Sequence, residues 1–85
     1  SFKMLEVFKT NIQKKAQSNR LLCILCEAFP SLKINFDLAD CDKVLRVEGE
    51  HMETIRIVML VKEHGFTCEL LALPKNNRTA VHCRL

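Results

Sequence analysis

"LKINFDLADCDKVLRVEG", residues 32 to 49, decides how this chain folds. Its first seven residues alternate, with Leu32, Ile34, Phe36 and Leu38 on one side and Lys33, Asn35 and Asp37 on the other. A period of two is that of a strand with one face buried. "ADCD" has the composition of a turn, and "KVLRVEG" returns as a second strand with Leu45 and Val47 inward. The stretch reads as a hairpin joined by a loop longer than the minimal two residues.

Upstream of the hairpin, Pro30 closes a run whose period is helical, because the residue before a proline is pushed out of helical geometry. The pattern predicts a helix from about residue 12 to Phe29, with Thr10 and Gln13 at the spacing of a capping box. Before it, "FKMLEVFK" (residues 2–9) alternates well enough for a strand. Downstream, residues 51–64 are expected to be helical and to stop at Gly65, which can take the left-handed conformation that ends many helices. "FTCELLAL" (residues 66–73) is the last strand, and Pro74 ends it. The order is β-α-β-β-α-β. Short elements in that order predict an α+β, ferredoxin-like sandwich, a four-stranded antiparallel sheet with both helices on one face.

The chain of 85 residues is enough for one domain, assigned here to residues 1–73, followed by a basic tail at 74–85. Residues 1–73 balance ten acidic residues with ten basic ones, so the formal charge of +3 comes wholly from Lys75, Arg78 and Arg84. A nucleic-acid domain carries a basic face and stacking aromatics; this chain has a neutral body and no Trp or Tyr. No nucleic-acid partner is expected. The apolar runs "LLCILC" and "IVMLV" fall far short of the roughly 20 residues that cross a bilayer, so no membrane partner is expected. No secretory segment is visible, and Ser1 in place of an initiator Met suggests a trimmed chain. Five cysteines, an odd number without framework spacing, suit reduced thiols in the cytoplasm, where the protein is expected.

Two segments, "KINFDLADCDKVLRVEG" and "VKEHGFTCELL", resemble the second half of the heavy-metal-associated domains, the small copper-chaperone modules. The family's hairpin ending in Val-Glu-Gly is matched by Val47, Glu48 and Gly49, and its Gly-Phe after the second helix by Gly65 and Phe66. The resemblance covers residues 2–73 and implies the same sandwich. It also implies a metal site, Met-x-Cys-x-x-Cys, where the first strand meets the first helix. Here that junction reads "TNIQKKAQ", with Ile12 at the methionine position and Lys14 and Gln17 where the thiols would stand. Neither side chain is a soft-metal ligand. Metal transport therefore does not carry over at these residues, and no cofactor is expected.

Cys23 and Cys26 have C-x-x-C spacing but lie two to three turns into the helix. Counting about 100° per residue, the apolar stripe is expected through Ser18, Leu22, Leu25, Cys26 and Phe29, with Cys23 at its edge. Both are expected to pack as small hydrophobes, with a divergent Cu(I) or Zn carrier using the pair as the alternative. Cys68, alternating with Leu70 and Ala72, is expected in the core. Cys41 is expected as an exposed spectator between Asp40 and Asp42, and "DLADCD" lacks the glycine and distant glutamate of a calcium loop. His51 and His64 stand at opposite ends of the second helix, and His82 and Cys83 are merely adjacent. No nucleophile, base and carboxylate form a catalytic pattern, and two glycines cannot build a phosphate loop. No enzyme is expected.

The second helix carries more apolar residues than one face needs. Met52, Ile55, Val58 and Met59 are expected inward, which leaves Ile57, Leu60 and Val61 outward, with Ile24 outward on the first helix. Helices apolar nearly all round are usually covered on both sides. These four residues are the expected interface for a homodimer or a protein partner. The role expected is non-enzymatic binding or self-association, with a small-molecule sensing module as a further alternative by fold analogy.

Overall fold

The hairpin forms as its alternation requires. In the computed structural model, which describes residues 3–37 and 43–71, six elements follow in the expected order. They are β1 (Met4–Thr10), α1 (Lys15–Ala28), β2 (Lys33–Asp37), β3 (Val44–Gly49), α2 (Thr54–Glu63) and β4 (Cys68–Leu70). The strands form one sheet in the order β2-β3-β1-β4, and every neighbouring pair is antiparallel. This is the ferredoxin-like α+β arrangement. Leu38, expected in the second strand, the expected loop residues 39–42, the basic segment 74–85, and Phe2, Ala72 and Leu73, expected at the ends of the first and last strands, lie outside the described residues.

Register explains which face is dry. Phe36 pairs with Leu45, Leu45 with Phe8, and Phe8 with Leu70, a single apolar row across all four strands. Ile34, Val47 and Glu6 make the next row. The opposite face pairs Lys33 with Glu48, Asn35 with Arg46 and Lys9 with Glu69, and Arg46 approaches Asp37 at 3.7 Å. An antiparallel sheet with its core on one side is expected to divide its residues in this way, and Val44 is the buried apolar residue on the polar side. On the covered side, Phe8, Ile12, Leu25, Leu45, Val47, Ile57 and Val61 are fully buried in one cluster with Leu21, Phe29, Leu32, Ile34 and Cys68.

The expected capping box between Thr10 and Gln13 does not form. Thr10 is the last residue of β1, and its hydroxyl donates to the Lys43 carbonyl at 2.8 Å while accepting from the Ile12 amide at 3.3 Å. A side chain committed across the sheet cannot also cap a helix. α1 starts later, at Lys15, and Gln17 reaches back instead: its Oε1 accepts from the Lys14 and Gln13 amides at 3.2 and 3.3 Å. The two amides are thereby satisfied before the helical ladder begins.

Both helices are rotated from the expected faces. On α1 the buried residues are Ser18, Leu21 and Leu25, continued by Phe29 beyond its end; Leu22 is half-buried, and Cys26 and Cys23 are exposed. The expectation that the two cysteines fill the core is therefore incorrect. Leu21, on the opposite edge of the stripe, is buried in place of Cys26, and a leucine withdraws more apolar surface from water than a thiol does. On α2 the correction is larger. Ile57 and Val61, expected at an outer interface, are fully buried, whereas Ile55 is 73% and Met59 55% exposed. Met52 and Val58 are half-buried at the flanks.

The start of α2 is also later than expected, at Thr54 rather than residue 51. Thr54 Oγ1 donates to Glu6 Oε1 at 2.6 Å, so a carboxylate on the covered side of β1 meets the positive end of the helix. At the other end, the Gly65 amide donates to the Lys62 carbonyl at 3.0 Å and the Phe66 amide to the Val61 carbonyl at 3.4 Å. With Gly65 at φ +90°, this is the Schellman pattern, and Phe66 packs on the cluster that contains Val61. A Cβ at residue 65 would meet no atom within 4 Å, so the cost of adding one is purely backbone strain. Gly65→Ala is expected to lower stability by about 1 kcal/mol in urea unfolding, with the helix content of the folded state unchanged.

Candidate functional site

Three regions bear on function, and the first is the junction of β1 and α1. Ile12 is fully buried and Lys14 is exposed at the helix start, where its amide bonds Gln17. The junction is tied to its neighbours by Thr10 on Lys43 and by Asn11, whose Oδ1 accepts from the Thr67 amide at 2.9 Å. Every one of these contacts is a structural hydrogen bond between oxygen or nitrogen atoms. The residues Ile12, Lys14 and Gln17 supply no sulfur, and a lysine cation opposes a bound metal ion. The donor set does not fit the group that the family resemblance implies.

The second region is the outer side of α1. Cys23 and Cys26 are both exposed, one turn apart. The remaining described thiol, Cys68, is buried beneath α2 in β4, and desolvation pushes it from 9.0 up to about 11, against a smaller lowering by Lys62. Cys68 thus behaves as the core residue expected, and it is not available as a thiolate near neutral pH. Among the described residues no three His, Cys, Asp or Glu side chains gather into a metal-holding group. Cys41, His82 and Cys83 lie outside the described residues.

The third region is apolar. Ile55 and Met59 stand on the outer face of α2, beside a groove of about 230 Å³ lined by Ala28, Phe29, Arg56, Met59, Leu60 and Glu63. Arg56 holds one wall: its guanidinium lies 5.3 Å from the Phe29 ring centroid and bonds Glu53 at 2.7 Å. Leu60, expected at an interface, does line this surface. Ile24 is half-buried and lines a different groove of about 480 Å³ with Gln17, Arg20, His64 and Phe66. There the His64 Nδ1 donates to the Leu60 carbonyl at 2.9 Å, which fixes the ring against the helix end.

Sequence reasoning missed Ile55 and Met59 as the outer pair, yet a signal existed. Taking Ile57 as zero and about 100° per residue, Arg56, Lys62 and Glu63 fall between roughly 140° and 260°. The side opposite their centre holds Ile57 and Val61. Charges, rather than the apolar residues, mark the rotation of α2.

No family model matches this chain, and neither the curated proteins nor the solved structures searched gave a match. No helix among the described residues is long and apolar enough to cross a membrane.

Proposed function

We propose that this domain acts by binding rather than by catalysis, and that the outer face of α2 pairs with the same face of a second copy. The observation that carries the reading is the exposure of Ile55 and Met59 side by side on a helix whose core face is already complete. A twofold pairing of antiparallel α2 helices sets Ile55 of one copy opposite Leu60 of the other. The same register sets Glu53 opposite Lys62, so the ends of the contact carry opposite charges. Antiparallel helix dipoles favour this orientation, and an isologous contact uses one surface twice.

Magnitudes make the association weak. Burying what Ile55 and Met59 still expose contributes at most roughly 1.5–3 kcal/mol for each side chain, four in all across the twofold. That sum is of the same order as the ~4–15 kcal/mol lost in freezing two bodies together. The likeness to heavy-metal-associated domains belongs to this reading as one of architecture, without their metal thiols at the β1–α1 junction. A reducing, cytoplasmic setting suits five cysteines in odd number.

Sedimentation velocity over a wide concentration range tests the proposal. The wild type is expected to shift from monomer toward dimer as concentration rises. Met59→Lys is expected to remain monomeric throughout, with an unchanged far-UV circular dichroism spectrum. A wild type that stays monomeric up to millimolar concentration would overturn self-association through this face. So would a dimer that Met59→Lys leaves intact.

A further inference from the structure

The two thiols that sequence reasoning assigned to the core lie on the outside of α1, where neither the core nor the outer face of α2 uses them. Cys23 and Cys26 are both exposed, separated by one turn, and the helix that carries them is anchored to the core by Leu21, Leu25 and Phe29 on its other side. We propose that Cys23 and Cys26 form a two-thiolate site for a soft monovalent d10 metal ion, of which Cu(I) is the available probe.

Geometry and chemistry both favour a two-coordinate ion. Residues three apart on a helix have Cβ atoms about 5–6 Å apart. With metal–sulfur bonds of about 2.3 Å, a nearly linear S–metal–S unit spans about 4.6 Å. Two thiols on such Cβ atoms reach that span by rotamer choice, without bending the backbone. Zinc in a structural site takes four ligands, and among the described residues no third or fourth His, Cys, Asp or Glu joins the pair. Thiolate pairs with no hard oxygen donors select soft ions. Binding one Cu(I) replaces two S–H bonds by two thiolate–metal bonds and releases two protons to solvent. No electron is transferred.

The position differs from the β1–α1 junction, where the family resemblance would place a metal and where Ile12, Lys14 and Gln17 supply no sulfur. It is also separate from the outer face of α2, so the metal site and self-association can fail independently. Because both thiols are exposed, serine in their place leaves the core intact, and loss of binding can be told from loss of folding.

Reduced protein is titrated with Cu(I) against a chromophoric Cu(I) chelator, with circular dichroism and thermal unfolding recorded for every variant. One Cu(I) per chain is expected for the wild type and for Cys41→Ser/Cys68→Ala/Cys83→Ser, which keeps only Cys23 and Cys26. Cys23→Ser and Cys26→Ser, each folded, are expected to lose the competition with the chelator. Binding that persists in the folded Cys23→Ser/Cys26→Ser variant would overturn the assignment. So would a stoichiometry of one Cu(I) per two chains, or a wild type that never competes with the chelator.

Discussion

Ile57→Ala is expected to lower stability by about 2–5 kcal/mol, while Ile55→Ala, two residues away on the same helix, shifts it by no more than about 0.5 kcal/mol. Ile57 is fully buried among the sheet residues of the core, and deleting three of its side-chain carbons loses transfer free energy and leaves a cavity. Ile55 is largely in water, so its truncation removes little that folding had gained. Urea denaturation of the two variants side by side reads the difference as a gap in midpoint at constant slope. The contrast matters more than either value. Equal losses would mean that α2 is rotated from the observed face, and with it the surface assigned to self-association. A single domain of this size has a margin of only a few kcal/mol, so Ile57→Ala is expected to be partly unfolded near its physiological temperature.

Gly49→Val is expected to cost about 1–3 kcal/mol, and Gly49→Ala less. Gly49 ends β3 opposite Met4, and its backbone lies against Leu32: an added Cβ would overlap Leu32 Cδ2 and stand 3.6 Å from Leu32 Cα. Alanine can be accommodated if the tip of Leu32 turns away, at the expense of packing in the cluster where Leu32 is buried. Valine adds two methyl groups toward backbone that cannot turn. The compensating variant Gly49→Val/Leu32→Ala is expected to recover part of the Gly49→Val loss relative to Leu32→Ala alone, which thermal unfolding of the four proteins in the cycle measures. Simple additivity would place the cost of Gly49→Val in the strand rather than at Leu32.

The two glycines are therefore constrained by different physics. Gly65 is needed for its positive φ in an open position, and Gly49 for close approach at an ordinary strand conformation. Sequence reasoning reached the first, because a glycine after a helical run is a local signal. It matched the second only as part of a resembling motif, since the side chain that requires it is 17 residues earlier in the chain. The thiols followed the same division. Cys68 could be read from its alternation in a strand, whereas Cys23 and Cys26 were placed on the wrong side of a helix.

What the sequence determined by itself was the list of elements, their order, and the sheet faces of the two hairpin strands. A strand has two faces, and in "KINFD" and "VLRVEG" one of them is visibly more polar, so Ile34, Leu45 and Val47 could point only inward. What tertiary structure decided was the rotation of each helix. In "TIRIVMLVKE" apolar residues occupy nearly the whole circumference, and several rotations bury similar amounts of apolar surface from the helix alone. One end is held by a neighbour far along the chain, Glu6 bonded to Thr54, and the other by the chain's own return, with the Phe66 amide on the Val61 carbonyl. Those two contacts, together with the charges of Arg56, Lys62 and Glu63 that need water, turn Ile57 and Val61 into the core and leave Ile55 and Met59 outside.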